Sequence, residues 1–171
     1  GEVFVVANDY RRGDMKPYIF RTTDYGKTWT RMIDENKVKG YALCVQQDPA
    51  EPNLIFVGTE NGLWISLDNG VSFEQFKNGY PSVSTYDFAI QEREADLVIA
   101  TFGRALWVLD DLRPLRKAAA NKGMKFANPV TVFPAPVVYQ AQYKAATGYE
   151  WSTYGLYDAE NRRRGAPVSF F

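Results

Sequence analysis

One short phrase occurs twice in this chain, and its recurrence constrains the fold more than any other feature. Residues 22–29 read TTDYGKTW and residues 66–73 read SLDNGVSF. Each copy carries a hydroxyl residue, an Asp, a Gly, a second hydroxyl residue and an aromatic residue in the same register. Supersecondary units that recur every 40 to 50 residues are typical of four-stranded sheets stacked side by side. The repeat therefore predicts an all-β chain of propeller-like blades.

The two phrases have the residues that close a β-hairpin corner. A short carboxylate accepts hydrogen bonds from backbone N–H groups just ahead of it, and a Gly two positions later supplies positive φ. The second hydroxyl ties the far side of the turn, and the aromatic ring begins the outgoing strand. We interpret ten residues as structural corner residues: Thr22, Asp24, Gly26, Thr28, Trp29, Ser66, Asp68, Gly70, Ser72 and Phe73.

The strands before each corner repeat as well. The apolar runs 54–59 and 63–67 correspond to runs 97–101 and 105–109, with Trp64 and Trp107 in the same place and expected in the core. Runs 41–48 and 86–91 read as innermost strands. The sequence predicts a partial blade over 1–40, a full four-stranded blade over 41–80 and a degenerate blade without a corner over 81–112. The fold class is a partial β-propeller of two to three four-stranded antiparallel blades.

Residues 113–171 break the pattern and are predicted to form a tail. Residues 117–123 read as a short helix with a Gly exit. The proline-punctuated segment Phe133–Ala141 is expected to lie along a sheet edge, followed by a linker to a further domain. Because the chain starts inside a blade, we expect it to be a piece of a longer protein, with upstream blades as its partners.

Composition excludes several function classes. Lys and Arg together number 20, as do Asp and Glu, so nothing indicates a nucleic-acid partner. No apolar run approaches the ~20 residues of a membrane span. The chain has no His, which excludes histidine metal sites and Ser–His catalysis within it. Cys44 is the one cysteine and reads as a small buried hydrophobe. We expect neither a metal nor a cofactor, and we identify no catalytic residue.

The two corners resemble the Asp-box, or BNR repeat, of sialidases, sortilin-type receptors and xyloglucan-hydrolysing propeller enzymes. Residues 58–64 and 100–115 are similar to a bacterial family of secreted proteins with sortilin-like BNR propellers. The resemblance implies a secreted, periplasmic or cell-surface location. It also implies that the Asp-box lies at the blade periphery, away from any catalytic centre. This chain has Phe102 where that family often has His, so any role of that histidine is absent.

Propeller ligands bind where the loops between the second and third strands meet those that enter the innermost strands. In this chain those loops are 8–17, 60–61, 77–85 and 102–104. Aromatic rings stack on sugars and guanidinium groups bridge hydroxyls or carboxylates. The candidate ligand-binding residues are Tyr10, Arg12, Glu60, Tyr80 and Arg104.

Three function hypotheses remain open at this point. The first is a non-catalytic carbohydrate- or protein-binding scaffold, because no complete catalytic set occurs in the chain. The second is part of a BNR-repeat glycoside hydrolase whose catalytic carboxylates lie upstream. The third is a sortilin-like peptide receptor. An incomplete propeller also has open sheet edges, which predict either coverage by the tail or self-association.

Overall fold

The computed structural model describes residues 1–123, 130–138, 165 and 167–170. Within these residues the chain is all-β, with ten strands in three antiparallel sheets and one α-helix. None of the helices in this part of the chain has the length and apolar character needed to cross a membrane.

Sheet 1 contains three strands, β1 (Val3–Asp9), β2 (Asp14–Thr22) and β3 (Thr30–Arg31), in the order β1-β2-β3. The connection predicted over residues 8–17 is largely strand instead, because β1 and β2 continue into a long hairpin. A single 3-10 turn, Tyr10–Arg12, joins them. The turn closes at Gly13, whose φ is +85° and whose N–H donates to the Tyr10 carbonyl at 3.0 Å.

Sheet 2 is the four-stranded unit that the sequence predicts over residues 41–80. Its strands, in the order β4-β5-β6-β7, are β4 (Ala42–Gln47), β5 (Ile55–Thr59), β6 (Gly62–Ser66) and β7 (Glu74–Gln75). Every residue of β5 and β6 is buried. Sheets 1 and 3 cover the two faces of these strands, which explains why both faces are apolar.

Sheet 3 contains β8 (Thr85–Gln91), β9 (Asp96–Thr101) and β10 (Leu106–Leu109), in the order β10-β9-β8. No fourth strand pairs with β10 among the described residues, in line with the loss of the third corner from the sequence. Trp107 is half-buried against the core, whereas Trp64 is buried. The expectation of a core position thus holds fully only for Trp64.

The three sheets pack face to face in chain order and enclose two apolar clusters. The sheet 1–2 cluster is formed by Ile19, Met32, Ile33, Val38, Ala42, Ile55, Val57, Trp64 and Phe73. The sheet 2–3 cluster includes Leu54, Phe56, Leu63, Ile65, Phe88, Leu97 and Ile99. Alternate residues of β5 and β6 contribute to opposite clusters, as the period of two in a strand requires.

Helix α1 spans Arg113–Ala120, so it begins earlier than the predicted 117–123 and ends earlier. Pro114 lies in its first turn, where a missing N–H costs nothing. The predicted glycine does follow the helix in a turn. Gly123 has φ +69° and donates its N–H to the Ala118 carbonyl at 3.0 Å.

Helix α1 is held against sheet 2 by a buried ion pair. The Arg116 guanidinium contacts both carboxylate oxygens of Asp48, with Nη2 at 2.9 Å from Oδ2 and Nε at 3.1 Å from Oδ1. The Asp48 carboxylate is inaccessible to solvent and also accepts N–H bonds from Ala50 and Glu51. The charge of Asp48 is therefore compensated on both sides.

Of the tail segment predicted as an edge strand, Phe133–Ala141, the described residues belong to none of the three sheets. Next to it, Val132 forms an isolated bridge with Phe170, and the Phe133 N–H donates to the Ser169 carbonyl at 2.9 Å. Residues 139–141 of that prediction, and nearly all of the predicted linker, lie outside the described residues.

Candidate functional site

The turns at one end of the three sheets come together and present four aromatic rings. We call this the aromatic surface and define it by Tyr10, Tyr41, Tyr86 and Phe102, with the carboxylate of Glu60 among them. Sheets 1, 2 and 3 all contribute to it, in that order along the chain.

The first ring pair joins sheet 1 to sheet 2. Tyr10, on the turn of the β1–β2 hairpin, stacks on Tyr41 with ring centroids 4.8 Å apart and planes 15° apart. The Asn8 amide donates to the Ala42 carbonyl at 3.2 Å and ties the same two elements. Strands β1 and β2 are long enough to carry Tyr10, at the turn between them, to the Tyr41 ring.

The β5–β6 turn supplies the centre of the surface. The Glu60 N–H donates to the Tyr41 carbonyl at 3.2 Å, and the Ser84 hydroxyl donates to the Glu60 carbonyl at 3.2 Å. Gly40 lies against this turn with φ +80°, and a Cβ there would be 2.7 Å from the Asn61 amide and 2.8 Å from the Glu60 side chain. The two side chains could shift away from a Cβ, so the positive φ is what favours glycine here.

The second ring pair belongs to sheet 3. Tyr86 and Phe102 have centroids 5.9 Å apart and planes tilted by 39°, and the Phe102 N–H donates to the Ser84 carbonyl at 2.9 Å. Tyr86 is the extra residue of a register shift in β8 between Thr85 and Asp87. A bulge of this kind redirects a side chain at the end of a strand. Phe102 is 74% exposed, far more than a packing role requires.

The electrostatics of the surface centre on Tyr41. Its pKa is raised, first by burial and then by the charges of Glu60, Tyr86 and Tyr10. The Tyr41 hydroxyl therefore stays protonated at neutral pH and is available as a hydrogen-bond donor. At the sheet 1 end, the Arg11 guanidinium lies 6.0 Å from the centroid of the Tyr10 ring.

The structure brings together some of the predicted ligand-binding residues but not all. Tyr10 and Glu60 form part of the aromatic surface, Arg12 is solvent-exposed on the same turn as Tyr10, and Arg104 is exposed on the β9–β10 turn beside Phe102. Tyr80 does not reach the surface. Its ring packs edge-on against Trp107 in the core at 5.5 Å, and its hydroxyl bonds the Thr85 hydroxyl at 2.6 Å.

Three residues of this surface were not among the predicted site residues: Tyr41, Tyr86 and Phe102. Tyr41 and Tyr86 were interpreted as ordinary members of innermost strands. The signal that could have found them is their position, since each lies where the chain enters an innermost strand, next to loops already expected to carry ligands. Phe102 lay in such a loop but was considered only as a replacement for histidine.

The ten corner residues lie at the opposite ends of the strands. In the first corner the Asp24 carboxylate accepts from the Thr28 N–H at 2.9 Å and from the Thr28 hydroxyl at 2.7 Å, while the Gly26 N–H donates to the Thr22 hydroxyl at 2.9 Å. The second corner repeats these bonds with Asp68, Ser72, Gly70 and Ser66. Both carboxylates are thus engaged within their own turns.

Hydrogen bonding at these corners lowers the pKa of both aspartates. For Asp24 the hydroxyl of Thr28 is the main cause, and the pKa falls to about 2. For Asp68 burial acts in the opposite direction, but the bonds from Ser72 and Ser66 outweigh it and the pKa is lowered. Across the described residues, no group of three or more acidic, Cys or His side chains is arranged to hold a metal ion.

Comparisons with known proteins give one informative similarity. No protein-family model matches the chain, and no solved structure matches it. Among curated proteins, the xyloglucanase Xgh74A of Acetivibrio thermocellus is 33% identical to the chain over 97 residues. The alignment covers 49% of this chain and 11% of that enzyme, so the chain spans about a tenth of the relative's length. The similarity is therefore to a segment of a xyloglucanase.

Proposed function

We propose that this chain is part of an extracellular Asp-box β-propeller and binds carbohydrate at the aromatic surface. The observation that carries the proposal is the clustering of two ring pairs, Tyr10–Tyr41 and Tyr86–Phe102, on neighbouring turns of successive sheets, with Tyr10, Tyr86 and Phe102 exposed and Tyr41 half-buried. Soluble proteins rarely leave such rings together in water unless they meet a ligand.

The chemistry of the surface suits a sugar chain. Aromatic faces stack on the C–H faces of pyranose rings, and aromatic contacts of this size are worth about 0.5–1.5 kcal/mol beyond the area that they bury. Glu60 can accept from sugar hydroxyls, while the Tyr41 hydroxyl and the exposed guanidinium groups of Arg12 and Arg104 can donate to them. Two ring pairs on successive sheets favour an extended chain over a single sugar.

The similarity to a xyloglucanase supports this ligand class and an extracellular location. It also makes a β-glucan chain the first ligand to test. In this proposal residues 1–112 form propeller blades and the corners are architectural, as the Asp-box resemblance implies.

Calorimetric titration with xyloglucan oligosaccharides and cello-oligosaccharides tests the proposal. Tyr10→Ala and Phe102→Ala should each weaken binding by about three- to tenfold, because each removes one stacking face. Tyr25→Asn is the matched control, since Tyr25 is exposed at the first corner and Asn occupies the corresponding position of the second. Absence of binding to any β-glucan, or equal losses in all three variants, would contradict the proposal.

Hydrolysis of a polysaccharide is a second candidate function. It is favoured by the similarity to a xyloglucanase, which is an enzyme. Glycoside hydrolysis requires two carboxylates that flank the scissile bond, and Glu60 is the carboxylate whose charge acts on Tyr41. The test is whether the chain releases reducing ends from xyloglucan. If it does, and if Glu60→Gln abolishes the release, the surface is catalytic and not only a binding surface. Binding without such release supports the scaffold.

A further inference from the structure

We propose that Asn78 is a site of spontaneous covalent modification, at which the side-chain amide is lost through a cyclic imide formed with Gly79. The chain contains three Asn-Gly pairs, at positions 61–62, 69–70 and 78–79. The fold protects the first two pairs and leaves the third free to react. The proposal is independent of carbohydrate binding and rests on a comparison of these three pairs within one chain.

The reaction needs only the chain and water. The backbone nitrogen of the glycine attacks Cγ of the asparagine, so that an N–Cγ bond forms and the Cγ–Nδ2 bond breaks. Ammonia leaves with the proton of the former glycine N–H. Water then opens the imide at one of its two carbonyl carbons and gives aspartate or isoaspartate, each with a carboxylate in place of the neutral amide. Glycine favours the attack because it has no side chain to obstruct it.

The pair Asn78–Gly79 has the two features that ring closure requires, a free backbone nitrogen and a backbone that can rotate. Both residues are exposed in the loop between β7 and β8. Neither the Asn78 side chain nor the Gly79 N–H makes a hydrogen bond to another described residue. A Cβ at Gly79 would meet nothing within 4 Å beyond its chain neighbours, so there is room for the ring.

The pair in the second corner is held by hydrogen bonds. The Gly70 N–H donates to the Ser66 hydroxyl at 2.8 Å, so the nitrogen that would attack is buried and already engaged. The backbone of Asn69 is fixed on both sides. Its N–H donates to the Asn53 carbonyl at 2.9 Å, and its carbonyl accepts from the Arg21 guanidinium at 3.4 Å. The ring can therefore form only after the corner has opened.

The pair at the β5–β6 turn is held mainly through its carbonyl. The Asn61 carbonyl accepts from Nε2 of Gln75 at 2.9 Å and from the Ser82 hydroxyl at 3.0 Å. The Asn61 N–H donates to the Thr59 hydroxyl at 3.2 Å, and Gly62 is buried in β6. Ring closure requires rotation of the peptide group between Asn61 and Gly62, which would break both bonds to the carbonyl.

Modification of Asn78 should leave the fold intact, because its loop is anchored on both sides. On one side the Phe76 N–H donates to the Leu63 carbonyl at 2.8 Å. On the other side Tyr80 is buried in the sheet 2–3 cluster. Only residues 77–79 lie between these anchors. The protein should therefore acquire negative charge in this loop while it remains folded.

Mass spectrometry of peptides from the whole folded chain tests the proposal. The protein is incubated at neutral pH in water enriched in oxygen-18, so that only asparagines that react during the incubation take up the heavy oxygen. Position 78 should take up the label at least about tenfold faster than positions 61 and 69, because those two must open locally before they react. In guanidinium chloride the three rates should become similar, because the same dipeptide is then equally exposed.

Isoelectric focusing of two variants isolates the site. An acidic form should accumulate in the wild type and far less of it in Asn78→Gln, because glutamine would have to close a larger ring. Asn36→Gln is the matched control and should acidify like the wild type, since Asn36 is exposed but precedes Lys37. Equal labelling of the three positions in the folded chain would overturn the proposal. A difference in rate that persists in guanidinium chloride, or an Asn78→Gln variant that acidifies as fast as the wild type, would also overturn it.

Discussion

Single residues in this chain act mainly through the turns that they close. Asp24 accepts bonds from the side chain and backbone of Thr28 and from the hydroxyl of Thr22, and its pKa falls to about 2. A lowered carboxyl pKa contributes stability that is complete above the unfolded value of 3.8 and is lost as pH falls through about 2. The first corner should therefore weaken between these two pH values.

Removal of one hydroxyl tests this account of Asp24. Thr28→Val keeps the shape of the side chain but deletes its O–H bond, so the pKa of Asp24 should rise toward 3.8. The measurement is a pH titration of the Asp24 carboxyl carbon by NMR. Thr23→Val is the control, because Thr23 makes none of the bonds to Asp24. An unchanged pKa in Thr28→Val would show that the hydroxyl does not stabilise the carboxylate.

At the scale of elements, the sequence located the strands but not every boundary. Runs 54–59 and 63–67 were found as β5 and β6 because apolar residues fill both faces of a strand enclosed by two sheets. The extension of the β1–β2 hairpin into residues 8–17 was not predicted, since these polar residues carry no apolar pattern. A local bond between Tyr18 and Asp14 holds this end of the hairpin.

The aromatic surface could be predicted only in part for a similar reason. The loops that form it follow from strand order, which gave Tyr10 and Glu60. The place of Tyr86 depends on a bulge in β8, and that of Tyr80 depends on packing against Trp107, which joins residues distant in sequence. Neither a one-residue register shift nor a ring contact of this kind leaves a periodic signal.

Helix α1 is the element whose position depends most on one interaction. Arg116→Ala should lower the free energy of unfolding by about 3 kcal/mol, because it leaves the Asp48 carboxylate buried without its cation. Lys117→Ala, on the exposed side of the same helix, should change it by no more than about 0.5 kcal/mol. Urea denaturation measures both. Equal effects of the two substitutions would mean that the ion pair does not anchor the helix.

At the scale of the whole molecule, stability should decline from the middle sheet outward. Units stacked in a row are stabilised by their neighbours, and among the described residues sheet 2 has a neighbour on each side whereas sheets 1 and 3 have one each. Strand β5 also has hydrogen-bonded strands on both edges, whereas β10 pairs only with β9 among the described residues.

Amide hydrogen exchange measures this gradient. The amides of β5 should exchange most slowly and those of β10 and β3 much faster, because local opening of an end element breaks fewer contacts. Exchange of β10 as slow as that of β5 would contradict this gradient, because it would show that sheet 3 needs no neighbour on its outer face to be as stable as sheet 2.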